Sequence, residues 1–216
     1  MTDSDGGESE GDATAGVPAD WPVRWDGVRE SVVTTRGPNE RWNVAALGLF
    51  APEDEDEGVV DAPVTARTWG RTRTWRNFRE RGEGYVQFTR HPVDFVEAAC
   101  TVREEADPVL ESADAWVRVE VEERADGERD GTQWVEWTLT PIESVVERRV
   151  VPTTNRAHAA VVEATVAASR LGVPGYDDET LRERIRYFAS VVESCGGRRE
   201  REAWERFETT LDTSPD

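Results

Sequence analysis

The chain has 216 residues, of which 45 are aspartate or glutamate and 26 are basic, for a formal net charge of -19; every basic residue is arginine. So negative a surface lacks the basic footprint that DNA, RNA and anionic membranes require. Cys100 and Cys195 have no CxxC partner and His91 and His158 stand in no metal-ligand spacing, so neither a disulfide framework nor a metal site is expected.

The opening stretch, residues 1–20, is rich in Gly, Ser, Asp and Glu and offers almost nothing to bury, so it reads as a disordered acidic arm. It has neither the basic nor the apolar region of a signal peptide, and nowhere does an apolar run reach bilayer length, which makes a cytoplasmic protein the expectation. Like charges at this density repel one another in dilute salt, whereas molar salt shortens the Debye length to about 3 Å. The expected host is therefore a salt-accumulating halophile.

From Trp21 to Val151 the chain reads as one β-rich domain. Short runs rich in β-branched and aromatic residues begin at Val28, Trp42, Pro63, Tyr85, Trp116 and Trp134, the pattern of a barrel or sandwich. In the clearest of them Val117, Val119 and Val121 alternate with Arg118, Glu120 and Glu122, as in a half-buried antiparallel strand. ADGERDGT, from Ala125, is expected to be the hairpin loop leading to Trp134, and PEDEDEG, from Pro52, a second solvated loop. Two short helices are expected between strands, one in TWRNFRERG from Thr74, with Gly82 as its C-cap, and one in PVDFVEAAC from Pro92.

Residues 152–212 change to the helical period. Asn155 is placed to cap a helix whose Ala157, Ala160, Val161, Ala164, Ala168 and Leu171 share a face. A second helix carries Leu181, Ile185, Phe188 and Val192 on one stripe, and a third carries Trp204, Phe207 and Leu211. The fold class expected is α+β, mainly β: a barrel followed by a C-terminal helical unit.

Two segments carry candidate chemistry. RTWGRTRTWRNFRER, from Arg67 to Arg81, has six arginines against Glu80 alone, a local charge of +5. A strand ending at Trp69, a Gly70 turn and Thr72 and Thr74 at a helix start would offer hydroxyls, backbone N–H groups and guanidinium forks to a phosphate. The plainer reading pairs those arginines with carboxylates on a solvated face. In RWNVAALGLF, Asn43 precedes Ala45, Ala46 and Gly48, whose small side chains would let a planar ligand approach the backbone or, equally, let strands pack closely. Trp42, Trp69 and Trp75 lie in or beside these segments. No GxSxG, Walker or Rossmann pattern occurs.

GVRESVVTTRG, NVAALGLF, ARTWGRTRTWRNFRERGEGYVQFTRHPVDFVEAA and TNRAHAAVVEATVAASRL together resemble an archaeal family of FMN-binding split-barrel proteins of unknown function, over about Gly27 to Asp212. The resemblance implies a split barrel of the flavin reductase kind with FMN at a homodimer interface. By it, the FMN phosphate lies near Arg71, Thr72, Thr74 and Asn77, and the ring edge near the backbone of Asn43, Ala45 and Ala46. Leu47 stands where such relatives carry proline. An FMN-dependent oxidoreductase of unknown substrate is the function it implies; a noncatalytic dimerisation or partner-binding module on the same fold is the alternative.

Overall fold

The computed structural model describes residues 20–25, 27–51 and 63–213. The acidic loop from Pro52 and nearly all of the expected N-terminal arm lie outside these residues.

Among the described residues seven strands and five helices follow in the order β1 (Val28–Arg36), β2 (Trp42–Phe50), β3 (Val64–Trp69), α1 (Arg73–Arg81), β4 (Glu83–Thr89), α2 (Pro92–Cys100), β5 (Arg103–Glu105), β6 (Ala113–Arg129), β7 (Thr132–Val146), α3 (Arg156–Ala168), α4 (Asp178–Cys195) and α5 (Arg198–Thr213). The strands pair in the order β1-β4-β6-β7-β3-β2, and β1 also pairs with β2 from Val28↔Phe50 to Arg36↔Trp42, which closes a six-stranded antiparallel barrel. The short β5 joins the outer edge of β2.

The expected alternation on β6 is present: Val117, Val119 and Val121 point into the barrel. They meet Val33, Leu47, Leu49, Val86, Leu139 and Trp137, the last of these 1 % exposed. The indole of Trp137 would be costly to bury without a partner; its Nε1 donates to Thr68 Oγ1 at 2.9 Å. On the outer wall Val32, Val44 and Ala46 pack against Phe95 and Ala98 of α2 and Val162 of α3. A separate cluster of Val96, Ala157, Ala160, Val161, Ala164, Val192, Trp204 and Phe207 holds the helices together.

The expected loop from Ala125 is instead strand. Pairing runs to Arg129↔Thr132, and only Asp130 and Gly131, at φ 51° and 77°, make the turn. Two successive positive φ values match the right-handed twist of the strands, which is why an Asp-Gly pair suits a two-residue hairpin. Polar composition hid this ribbon because both its faces are largely exposed. β5 was also illegible, since three charged residues carry no strand signal; it forms because Val44 and its neighbours offer an open edge and Arg103 is held by Asp94, Glu97 and Glu105.

Candidate functional site: the split between two strands

The barrel is incompletely laced. β2 pairs with β3 only at Leu49↔Ala66 and Phe50↔Thr65, and with β5 only at Trp42, Asn43 and Val44. Between these ladders the edge of β2 from Ala45 to Gly48 has no strand partner among the described residues. The edge of β3 from Arg67 to Trp69, away from β7, has none either. Open strand edges seek hydrogen-bonding partners. On the paired side of β2 the carbonyl of Leu47 accepts from the hydroxyl of Ser31, its neighbour on β1, at 2.7 Å.

Helix α1 lies beside this gap, and local chemistry explains its position. Gly70, at φ 67°, turns the chain out of β3, and its N–H donates to Gln133 O at 2.7 Å. Thr72 then caps the helix, its Oγ1 accepting from Trp75 N at 3.1 Å. A capping hydroxyl that accepts in this way still has its own proton to donate. The first turn carries no acidic residue, so the positive end of the helix is uncompensated. Gly82 ends the helix at φ 64° with its N–H on Phe78 O at 2.8 Å, a left-handed C-cap. Phe78 drops into the barrel and meets Trp137 edge to face at 5.5 Å. Gly84 makes room for it, since a β-carbon there would lie 3.0 Å from the Phe78 ring and 3.2 Å from Thr34 O.

The arginines of this segment divide into two groups. Arg67, Arg73 and Arg81 pair with Glu136, Glu104 and Glu40 at 2.7, 2.7 and 3.0 Å. The solvated-pair reading thus accounts for three of them. Arg71 and Arg79 have no carboxylate partner among the described residues and lie over the Trp75 ring at 6.0 and 5.5 Å. Arg76 is exposed and also unpaired among the described residues.

The residues singled out in the sequence fall as follows. Arg71 and Thr72 are exposed at the start of α1, whereas Thr74 is buried. Asn77 is buried, and its Nδ2 donates to Thr35 Oγ1 at 2.9 Å and Thr35 O at 3.3 Å. Asn43 is buried directly across from Thr35 in the β1–β2 ladder, so Thr35 brings Asn43 and Asn77 to one end of the barrel. Ala45 and Ala46 separate: Ala45 packs against the barrel interior and Ala46 against α2 and α3 outside. Only the shared backbone of this pair faces the split. Thr35 itself was not foreseen; it sits in an ordinary strand run, and only the register reveals its role.

At the other end of the open edge Glu30 pairs in register with Gly48. Desolvation and the nearby charge of Glu163 raise its pKa, with Arg170 opposing them. Those two residues belong to α3 and its C-terminal end, which therefore lies on the β1–β2 side of the split.

An antiparallel barrel with a gap beside a helix start, followed by helices, is the architecture of the flavin reductase-like, FMN-binding split barrels. The chain belongs to the DUF447 family: the model described as "Protein of unknown function (DUF447) N-terminal domain" matches residues 29–148, and "Protein of unknown function (DUF447)" matches residues 155–209. Among solved structures, the crystal structure of an FMN-bound protein of the same family from Methanosarcina mazei is similar at 24% identity and a TM-score of 0.68, covering 86% of this chain and 95% of that one. Nitrilotriacetate monooxygenase component B from Bacillus cereus is similar at 14% identity and a TM-score of 0.42, covering 57% of this chain and 72% of that one. An FMN-binding protein from Thermus thermophilus matches at 14% identity and a TM-score of 0.37, covering 62% and 81%. No curated protein shows significant similarity to the chain.

Proposed function

We propose that this chain is an FMN-binding flavoprotein, that its cofactor occupies the split between β2 and β3, and that it serves as an oxidoreductase. The observation that carries the reading is the backbone edge from Ala45 to Gly48, unpaired among the described residues, beside a helix start whose Arg71 and Arg76 have no carboxylate partner among those residues. The backbone N–H and C=O groups of that edge suit the polar rim of a planar heterocycle. The hydroxyl of Thr72, the guanidinium of Arg71 and the free N–H groups of α1 suit a phosphate. Thr74 and Asn77 act behind them, Asn77 by tying α1 to β1 through Thr35. The FMN-bound family member from Methanosarcina mazei supports the same ligand.

Bound FMN would supply the electron chemistry. The protein's part is to hold the phosphate, meet the ring edge with backbone groups and limit access of water. A homodimer fits the aromatic row of Trp42, Tyr85 and Trp116 on the outer wall, whose rings lie 5.3 and 5.6 Å apart. The charge of -19 fits a salt-rich cytoplasm.

The test is a visible spectrum of protein purified in molar salt, with identification of whatever is released on denaturation. Bands near ~370 and ~450 nm and released FMN are the expected result. A colourless protein that ignores added FMN would favour the noncatalytic module. Arg71→Ala is expected to weaken FMN binding about tenfold or more, the loss of one charge-assisted contact, while leaving riboflavin binding nearly unchanged. Equal losses for both ligands would remove the phosphate from this end of α1.

A further inference from the structure

The two lips of the split are carried by different parts of the molecule, and those parts touch. One lip is β3, which pairs with β7 from Val64↔Leu139 to Trp69↔Trp134, while β7 in turn pairs with β6 out to the turn at Asp130 and Gly131. Past Val121, whose N–H meets Gly82 O at 2.8 Å, β6 has no neighbour on its β4 side among the described residues. Beyond Gly127↔Trp134, where the pairing of β3 with β7 also ends, the hairpin runs on as a two-stranded ribbon of residues 128–133, which alone is only marginally stable. The other lip is β2, against whose outer face Val162 of α3 packs near Ala46. The chain leaving α3 runs into the loop of residues 169–177.

This loop is held by its own bonds. Gly172 N donates to Asp178 Oδ1 at 2.9 Å, Tyr176 N to Val173 O at 3.3 Å, and Arg170 lies over the Tyr176 ring at 5.6 Å. The tip of the ribbon rests on it: a β-carbon built on Gly175 would lie 3.5 Å from Asp130 Cγ and 3.7 Å from Asp130 Cβ. A segment continuous with the β3 lip thus meets a segment anchored on the β2 lip, so their contact links the two strands that part at Ala45–Gly48 and Arg67–Trp69.

We propose that Asp130 and Gly175 form a clasp that closes the outer side of the split and sets how fast a ligand enters and leaves it. The tip is the part that moves, because its residues 128–133 lack a third strand; the loop is its fixed stop. Gly175 is glycine because its φ of 90° is strained for any L side chain, while the space beside Asp130 is itself wide enough for a β-carbon. The inference rests on the split being the flavin site only for its statement about FMN rates.

The test uses the geometry of the contact, since 3.7 Å between β-carbons is disulfide spacing. The variant Asp130→Cys/Gly175→Cys, made with Cys195→Ser to remove the exposed thiol, is expected to form the bond on mild oxidation of the folded protein. Oxidised, it should show slower hydrogen exchange at Ala45 to Gly48. It should also bind and release FMN about tenfold more slowly or worse, with the equilibrium affinity little changed, and reductant should reverse both effects. Failure to form the bond in the folded protein, or a bond that alters neither exchange nor flavin rates, overturns the clasp. If no form takes up FMN, the flavin reading fails, yet amide exchange still decides the clasp. Asp130→Gly covers the case in which the cysteine pair does not fold, because it leaves Gly175 untouched and suits φ 51°. It should speed both exchange and release, and unchanged rates would count against the clasp.

Discussion

Gly127 sits under the Trp134 indole, where a β-carbon would come within 2.6 Å of the ring, while Arg67 covers the same ring at 4.6 Å. Gly127→Ala must push the indole off its seat and is expected to cost about 1–3 kcal/mol, the range for overpacking, measured by denaturant unfolding in high salt. The cysteines differ in the same local way. Burial pushes the Cys100 thiol up to about 11, and Cys195 is exposed. Because the thiolate is the reactive form, one thiol should react with a disulfide reagent at once in the folded protein, and the second only on unfolding. Rapid reaction of both would mean that α2 is not packed as described. The arginine-rich segment shows the limit of reading residues singly. Its charge was plain in the sequence, but the division between Arg67, Arg73 and Arg81, which are paired, and Arg71, Arg76 and Arg79, which have no carboxylate partner among the described residues, depends on carboxylates 31 to 69 positions away along the chain.

At the scale of elements, α1 depends on three anchors: the Thr72 cap, Phe78 in the barrel and Asn77 on Thr35. Phe78→Ala is expected to cost about 3–5 kcal/mol, the range for an aromatic removed from a packed core. Asn77→Ala leaves the partners on Thr35 unmet and should cost about 1–3 kcal/mol. Asn77→Ala should also weaken FMN binding without moving the flavin absorption bands, since its amide holds the helix in place. A shifted spectrum with unchanged stability would instead put that amide on the ligand. The strands and helices with strong periodicity were legible: β6 by its alternation, α3 to α5 by their apolar stripes. The ribbon of β6 and β7 was not, because a strand exposed on both faces has no hydrophobic period to betray it.

For the whole molecule the governing quantities are charge and the joint between barrel and helices. Self-repulsion from a charge of -19 weakens the compact state, and salt screens it, so the unfolding midpoint should rise steadily from low to molar NaCl; a midpoint that falls with salt would contradict this. His158, on α3, has its pKa lowered chiefly by burial, with Glu200 opposing that shift and Arg90 adding to it. A histidine whose folded pKa is depressed favours folding above its unfolded value near ~6.5 and loses that contribution as pH falls through the folded value. His158→Gln should therefore flatten the loss of stability on acidification just below about pH 6.5, and an unchanged slope there would assign that loss to groups other than His158. The pKa of Asp94 is pulled below its usual value, the hydrogen bonds from Ser112 and Arg103 outweighing the desolvation that would raise it.

Composition and periodicity by themselves determined that this is an acidic chain of a β-rich part followed by helices, because burial imposes a period on each element that any single segment displays. The candidate residues were also visible, since Asn43, Thr72 and the arginines are local features of their segments. Only the tertiary structure decided that Ala45 and Ala46 face opposite ways, that Thr35 joins Asn43 to Asn77, and that β2 and β3 part to leave an open edge. Register, splitting and the contact of Asp130 with Gly175 are relations between distant segments. They arise from how the ladder closes on itself, which no stretch of sequence encodes alone.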